Sequence, residues 1–238
     1  MDAVLALIES VPALFGPGDL AALACLAVAW TGLTLAIERS HARHPSMSRL
    51  MDGYRRAWFE QIAGREVRIM DTQLLTLLRA GAAFFASTCL IAIGGVAALI
   101  GEADLLVGLV ADLGAEDAGR VPVWEAKLLV ILLIMVNAFL KFVWSHRLFG
   151  YTAVLMGAIP PAGDGGCAAA VARANAVDRA AARSFNRGLR AIYFAIATLA
   201  WFLGPVPFAV AVFLTTAMLV RREFFSASRR ALLPAATD

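Results

Sequence analysis

Between Ala80 and Ile100 the chain carries no charged side chain, and the same holds for Leu20–Ile37 and Ala191–Val220. A helix rises about 1.5 Å per residue, so roughly 20 such residues cross the hydrocarbon layer of a bilayer. A fourth apolar run is Trp124–Trp144. Its terminal tryptophans stand about 30 Å apart as a helix, the spacing of two aromatic belts. Leu20–Ile37, Ala80–Ile100 and Trp124–Trp144 are therefore predicted to be membrane spans. Ala191–Val220 as one helix would reach about 45 Å, too long for the layer. Gly204, Pro205 and Pro207 sit at its centre and break it. Two arms are expected, residues 191–203 and 207–220, either crossing twice or dipping in as a re-entrant hairpin.

Composition agrees. Hydrophobic residues make up 61% of the 238 and charged residues 16%, with a mean hydropathy of +0.75. Soluble domains run nearer half apolar and a quarter charged. A water-soluble globule, a disordered chain and a collagen are excluded. The three cysteines, Cys25, Cys89 and Cys167, are far apart and form no C-x-x-C, so neither a disulfide framework nor a zinc ribbon is expected. The fold class is all-α: one polytopic membrane domain over residues 1–238 with about five apolar helices. The N-terminal stretch lacks the basic start of a secretory signal, and residues 3–15 are read as a short interfacial helix.

The placement of charge orients the chain. Residues 38–79 hold 8 basic and 5 acidic side chains, residues 141–190 hold 7 and 2, and residues 221–238 hold 4 and 2. Residues 1–19 hold 0 and 3, and residues 102–127 hold 2 and 6. Basic and acidic segments alternate, as the positive-inside rule requires. The N-terminus is expected outside and the C-terminus in the cytoplasm. Ala- and Arg-rich, Lys-poor usage fits a GC-rich bacterial genome.

The cytoplasmic segments read as helices over residues 47–79 and 166–190. Ser46 can cap the first, in which Met47, Met51, Tyr54, Trp58 and Ile62 form one stripe. After Gly64 the chain is expected to run straight into the second span. In the other, Arg179, Arg183, Arg187 and Arg190 form one ridge. Tyr151–Pro160 is too short to cross and is placed at the surface.

Small residues line the first span (Cys25, Ala29, Gly32, Ala36) and the second (Ala83, Ser87, Gly94, Gly95, Ala98). Helices approach closely at such positions, either within one bundle or between copies of the chain. Asn137 and Lys141 share a face of the third span. Asn137 is expected to bond a neighbouring helix and Lys141 to snorkel. His41, His44 and His146 fall at cytoplasmic span ends, but no cysteine or paired carboxylate is placed to complete a metal site with them. No nucleophile elbow, Walker loop, zinc-protease or dinucleotide motif occurs. No catalytic residue, metal or cofactor is assigned, and nucleic acid is not an expected partner. The cytoplasmic segments carry a net charge of +10, which attracts anionic headgroups.

A string of motifs carries a resemblance. It begins with Tyr54-Arg55-Arg56-Ala57-Trp58 and Arg65-Glu66-x-Arg68-Ile69-x-Asp71-x-Gln73. It continues through Ala83–Thr88, Glu125–Leu128 and Ala138-Phe139-x-Lys141-Phe142-x-Trp144-Ser145-x-Arg147. It ends with Phe185-Asn186-x-Gly188-Leu189-Arg190, Trp201–Pro205 and Arg221-Arg222-Glu223-Phe224-x-Ser226. Over residues 30–230 the chain resembles the multi-spanning membrane proteins grouped as domain of unknown function 599. The resemblance implies an inner-membrane protein and brings no activity or cofactor. The polar positions it picks out are Arg55, Arg56, Arg65, Arg68, Asp71, Lys141, Arg147, Asn186 and Arg190. Trp58 and Asn137 join them as candidates for a ligand, partner or polar network. Helices 47–79 and 166–190 are expected to pair, with Asp71 meeting Arg187 or Arg190.

The expected function is a non-enzymatic scaffold or accessory protein whose basic cytoplasmic face binds anionic lipid or a partner protein. The alternative is a small transporter or channel using Asn137, Lys141 and the Gly204–Pro207 break. Reporter tags at residues 110 and 238 should lie in opposite compartments. Finding both in one compartment would overturn the orientation.

Overall fold

A computed structural model describes residues 14–40, 44–112 and 120–233; the predicted helix at residues 3–15 falls almost wholly outside them. The described residues are helical throughout, without strands. Helix α1 is Pro17–Glu38, α2 Met47–Ile62, α3 Ile69–Gly101 and α4 Ala103–Asp112. Then come α5 Val121–Gly157, α6 Cys167–Thr198, a 3-10 turn Leu199–Leu203, α7 Pro205–Phe224 and α8 Ala227–Leu232. Helices α1, α3 and α5 are long and apolar enough to cross a membrane. Val28, Phe84, Ile91, Leu133 and Phe213 stand exposed on the outside of the bundle. An apolar outer surface of that extent suits lipid rather than water.

α3 has 33 residues and α5 has 37. At the helical rise they reach about 50 and 55 Å, well past a hydrocarbon layer of about 30 Å. Their surplus turns, with the first half of α6, form a helical extension with its own core. Leu75 and Ala82 of α3, Leu148, Phe149 and Met156 of α5 and Ala174 and Ala181 of α6 meet there, closed by Phe59 and Ile62 of α2. The membrane-depth core is separate. It gathers Leu26, Leu33 and Ile37 of α1, Ile134, Ala138 and Phe142 of α5, Ala191 and Phe194 of α6, and Phe208 and Val212 of α7. α5 is the central helix, packed along α3 on one side and α6 on the other, while α1 packs chiefly on α7.

Where the two cores join, Phe85, Phe142 and Phe185 form an aromatic triad with ring centroids 5.3 to 5.6 Å apart. Gly188 makes room for it: a Cβ there would lie 2.8 Å from the Phe142 ring. α6 therefore presses its backbone at Gly188 directly against the Phe142 ring of α5.

The opposite end is tied by Trp201. Its indole donates to Asp19 at 2.6 Å, its carbonyl accepts from Lys127 at 3.0 Å, and it stacks between Phe15 and Phe208. α6 tightens into the 3-10 turn and ends at Gly204, which takes φ +113, a conformation only glycine adopts freely. Pro205 and Pro207 then occupy the first turn of α7, where a missing N–H costs nothing. The break thus lies at Gly204, and the returning arm starts at Pro205 rather than Pro207.

Other expectations are corrected. Residues 47–79 form two helices with an elbow at 63–68, because Arg65 and Arg68 turn their side chains inward there. Tyr151–Pro160 is not a separate surface piece; α5 continues to Gly157, since Thr152 and Met156 are needed in the extension core. On α3 the packed small residues are Ala82, Ala86 and Cys89, whereas Ser87, Gly94, Gly95 and Ala98 face outward. On α1, Cys25, Gly32 and Ala36 are likewise exposed.

Gly188→Val should press on a ring with nowhere to go and cost about 1–3 kcal/mol. Thermal unfolding in detergent would record it as a lower Tm, with a smaller drop for Gly188→Ala.

Candidate functional site

The arginine-rich segments meet at one end, through contacts between helices far apart in sequence. Arg55 on α2 donates to Asp178 on α6 at 2.6 Å. Arg179 donates to Asp52 at 3.0 Å. Arg187 and Arg190 both grip Glu38, the last residue of α1, Arg190 at 2.9 Å. From α7, Glu223 accepts from the Ser48 hydroxyl and backbone N–H at 3.1 to 3.2 Å, and Arg222 donates to the Tyr193 hydroxyl at 2.9 Å. α8 closes the group: Arg229 donates to the Pro45 carbonyl, and the Leu232 carbonyl accepts from Tyr54.

The order of α2 is set locally. The Ser46 hydroxyl caps its first turn by accepting from the Arg49 N–H, and donates to the carbonyl of Ile37 at 2.9 Å. The Arg49 guanidinium reaches the Ser40 carbonyl. α2 is thereby laid across the end of the bundle, its Phe59 and Ile62 buried and its Met51 and Tyr54 exposed.

Beneath α2 lies a cavity of about 800 Å³. Its polar wall carries Arg49, Arg55, Arg56, Arg179, Arg183, Arg222 and Asn186 against Glu38, Asp52 and Glu223. Its apolar wall is Ile37 of α1, Leu77, Leu78 and Gly81 of α3, Phe149 of α5 and Phe185 of α6. Arg55 and Arg179 are committed to carboxylates, but Arg49, Arg183 and Arg222 have no ion-pair partner among the described residues. Arg56 has only exposed Glu60 at 3.4 Å. The cavity thus presents unneutralised guanidinium groups and one free amide above apolar side chains, a chemistry suited to phosphate or carboxylate on an amphiphile.

A second cluster holds the elbow. Asp71 is 2% exposed and accepts on one oxygen from the Trp58 indole at 2.7 Å and from Arg65. Arg68 donates to the carbonyls of Met156 and Ile159 at the end of α5, at 3.1 and 3.2 Å. The partner of Asp71 is thus Arg65, six residues away, and not Arg187 or Arg190. The elbow turns Arg65 back on its own helix, while Glu38 has already taken the two α6 arginines.

Three sequence candidates lie apart from both clusters. Arg147 reaches only the Tyr151 hydroxyl one turn on. Asn137 lines a shallow apolar groove of about 280 Å³ with Trp30, and its amide bonds no neighbouring helix among the described residues. Lys141 stands outside that groove, and its carbonyl accepts from Ser184 at 2.8 Å. Among the described residues no three His, Cys, Asp or Glu side chains converge. His44 and His146 are described, His146 beside Arg79; His41 lies outside the described residues.

The family model described as "Protein of unknown function, DUF599" matches residues 21–228. The chain belongs to that family. Comparison with curated proteins and with solved structures gives no match. The family match runs from α1 into the start of α8 and takes in the elbow cluster and every residue that lines the cavity, stopping short of Arg229 and Leu232.

Sequence reasoning about this family member missed the acids. Glu38 marked only a span boundary, and Asp178 went unused, yet these two anchor α6 to α1 and α2. The signal was there: Asp178 is the one acid between Cys167 and Thr198, one residue from an arginine ridge. Its side chain is fully buried. Burial pushes its carboxyl above the usual range, and the Arg55 guanidinium beside it pulls the other way. A carboxyl with a raised folded pKa favours the folded state most below its ordinary pKa, and that contribution falls away as pH rises through the raised value. At neutral pH the pair is therefore a matched set rather than a net source of stability. Arg55→Met should cost about 3–5 kcal/mol by leaving the carboxyl without its partner. Arg55→Met with Asp178→Leu should recover most of that loss, read as Tm in detergent. A double variant as unstable as the sum of the singles would contradict the pairing.

Proposed function

We propose that this is a non-enzymatic accessory protein of the bacterial inner membrane whose arginine-rich end faces the cytoplasm and binds anionic phospholipid. One observation carries the reading: after the buried acids have taken their partners, an excess of guanidinium groups is left where the apolar helices end. Arg39, Arg173, Arg221 and Arg230 are exposed and make no ion pair among the described residues. Around the elbow, Val67, Ile69 and Met70 are exposed apolar side chains beside part-exposed Arg65. Cations beside outward-facing apolar groups suit a headgroup boundary, where each basic residue near an anionic surface contributes about 1 kcal/mol.

Transport has less support. Asn137 and Lys141 share a helix face but line no common cavity, and Asn137 opens on a shallow outer groove. A partner protein would need an apolar patch that the lipid face does not already explain.

The test is thermal stability of the purified chain with added lipid. Phosphatidylglycerol should raise Tm well above phosphatidylcholine, and the difference should shrink as sodium chloride screens it. Equal effects of the two lipids at low salt would remove the basis of this reading.

A further inference from the structure

The cavity under α2 has a composition the surrounding basic surface lacks. Its arginines stand on α2, α6 and α7, but its other wall includes residues that end or begin the apolar runs: Ile37 on α1 and Leu77, Leu78 and Gly81 on α3. It therefore sits at the depth where headgroups meet acyl chains. α1 and α3 do not pack substantially on one another; α1 rests chiefly on α7 and α3 on α5. The cavity wall between Ile37 and Leu77 consequently faces outward. Leu77 is 69% exposed although it lines the cavity, and a Cβ at Gly81 would meet nothing within 4 Å.

Arg183, which is exposed, and half-buried Asn186 lie one turn apart on α6 and share the polar wall. Arg183 makes no hydrogen bond or ion pair among the described residues, its charged neighbour being Glu38, which Arg187 and Arg190 already hold. The Asn186 amide also has no partner there. Arg56 lines the rim from α2, its side chain exposed and 3.4 Å from Glu60. We propose that this cavity is a binding site for one anionic glycerophospholipid. Arg183 holds the phosphate, Asn186 and Arg56 complete its hydrogen bonds, and the acyl chains leave sideways between α1 and α3 along Leu77 and Gly81. A guanidinium forks onto two phosphate oxygens, and an amide donates to a third. The volume falls in the range of built ligand sites, about 300–1,000 Å³, and accommodates a headgroup and glycerol with the chains outside. This deepens the lipid reading above and rests on it, but makes a separate claim: one retained lipid at named residues, rather than a diffuse charged surface.

Native mass spectrometry of the full chain in mild detergent, with added phosphatidylglycerol, phosphatidylcholine or inorganic phosphate, tests it. The wild type should hold one phosphatidylglycerol at salt concentrations that abolish the general preference for anionic lipid. Arg183→Gln should weaken that retention about ten-fold or more. Arg173→Gln removes the same charge from an exposed position on the same helix outside the cavity and should leave retention unchanged. Gly81→Leu, which fills the side opening without altering charge, should also abolish it. Two results overturn the site and leave the surface reading standing: retention equal in wild type, Arg183→Gln and Gly81→Leu, or equal loss with Arg183→Gln and Arg173→Gln. Stabilisation by inorganic phosphate as great as by the lipid would assign the cavity to a soluble anion and overturn the lipid claim. No preference for phosphatidylglycerol at any salt would remove both readings.

Discussion

Everything at the basic end depends on a few acids buried among many arginines. Glu38, Asp52, Asp71 and Asp178 each hold at least one guanidinium, and in doing so each fixes a junction. Glu38 joins α1 to α6, Asp52 and Asp178 join α2 to α6, and Asp71 locks the elbow that leads from α2 into α3. A carboxylate taken from water requires a cation nearby, and a cation so committed loses its freedom. The helices are thereby placed, and which arginines stay free becomes a matter of geometry. Arg183 and Asn186 face the cavity because Arg187 and Arg190, farther along the same helix, are turned toward Glu38.

The second determinant is length. α3, α5 and α6 do not stop where the apolar runs stop. They carry on as a three-helix extension with its own aliphatic core, so the charged groups stand on rigid helices rather than on loops. A site on helices holds its geometry better than one on loops. α2 then lies across this extension, and the space it leaves beneath is the cavity.

The architecture was legible in the sequence because its signals were additive. Charge-free runs and the Gly204–Pro207 break each needed only local reading, and they return as long apolar helices and as the turn at Gly204. The convergence of the basic segments at one end was legible for the same reason. The pairings were not. Asp71 was expected to meet Arg187 or Arg190 through the pairing of the cytoplasmic helices; the elbow at 63–68 gave it Arg65 instead. The small residues on α3 were read one position out of phase, because Ala82, Ala86 and Cys89 lie beside Ala83 and Ser87 on the wheel and composition does not separate the two faces. Asn137 was expected to find a partner because an unpaired amide in lipid is costly, and the structure leaves it in an open groove. Arg55, Arg56 and Asn186 were picked out by resemblance, but that they share one cavity follows from the crossing of α2 over α6, which no single segment encodes.

Ser46 links the end of α1 to the start of α2 through hydroxyls and carbonyls alone, with Ser40 donating to it from the preceding turn. Neutral bonds of this kind are indifferent to ionic strength. The roof over the cavity is therefore hinged at its first turn on an uncharged latch, while Asp52 and Asp178 hold the rest of it by charge. Added salt therefore leaves that hinge as it is and bears only on the ion pairs farther along α2.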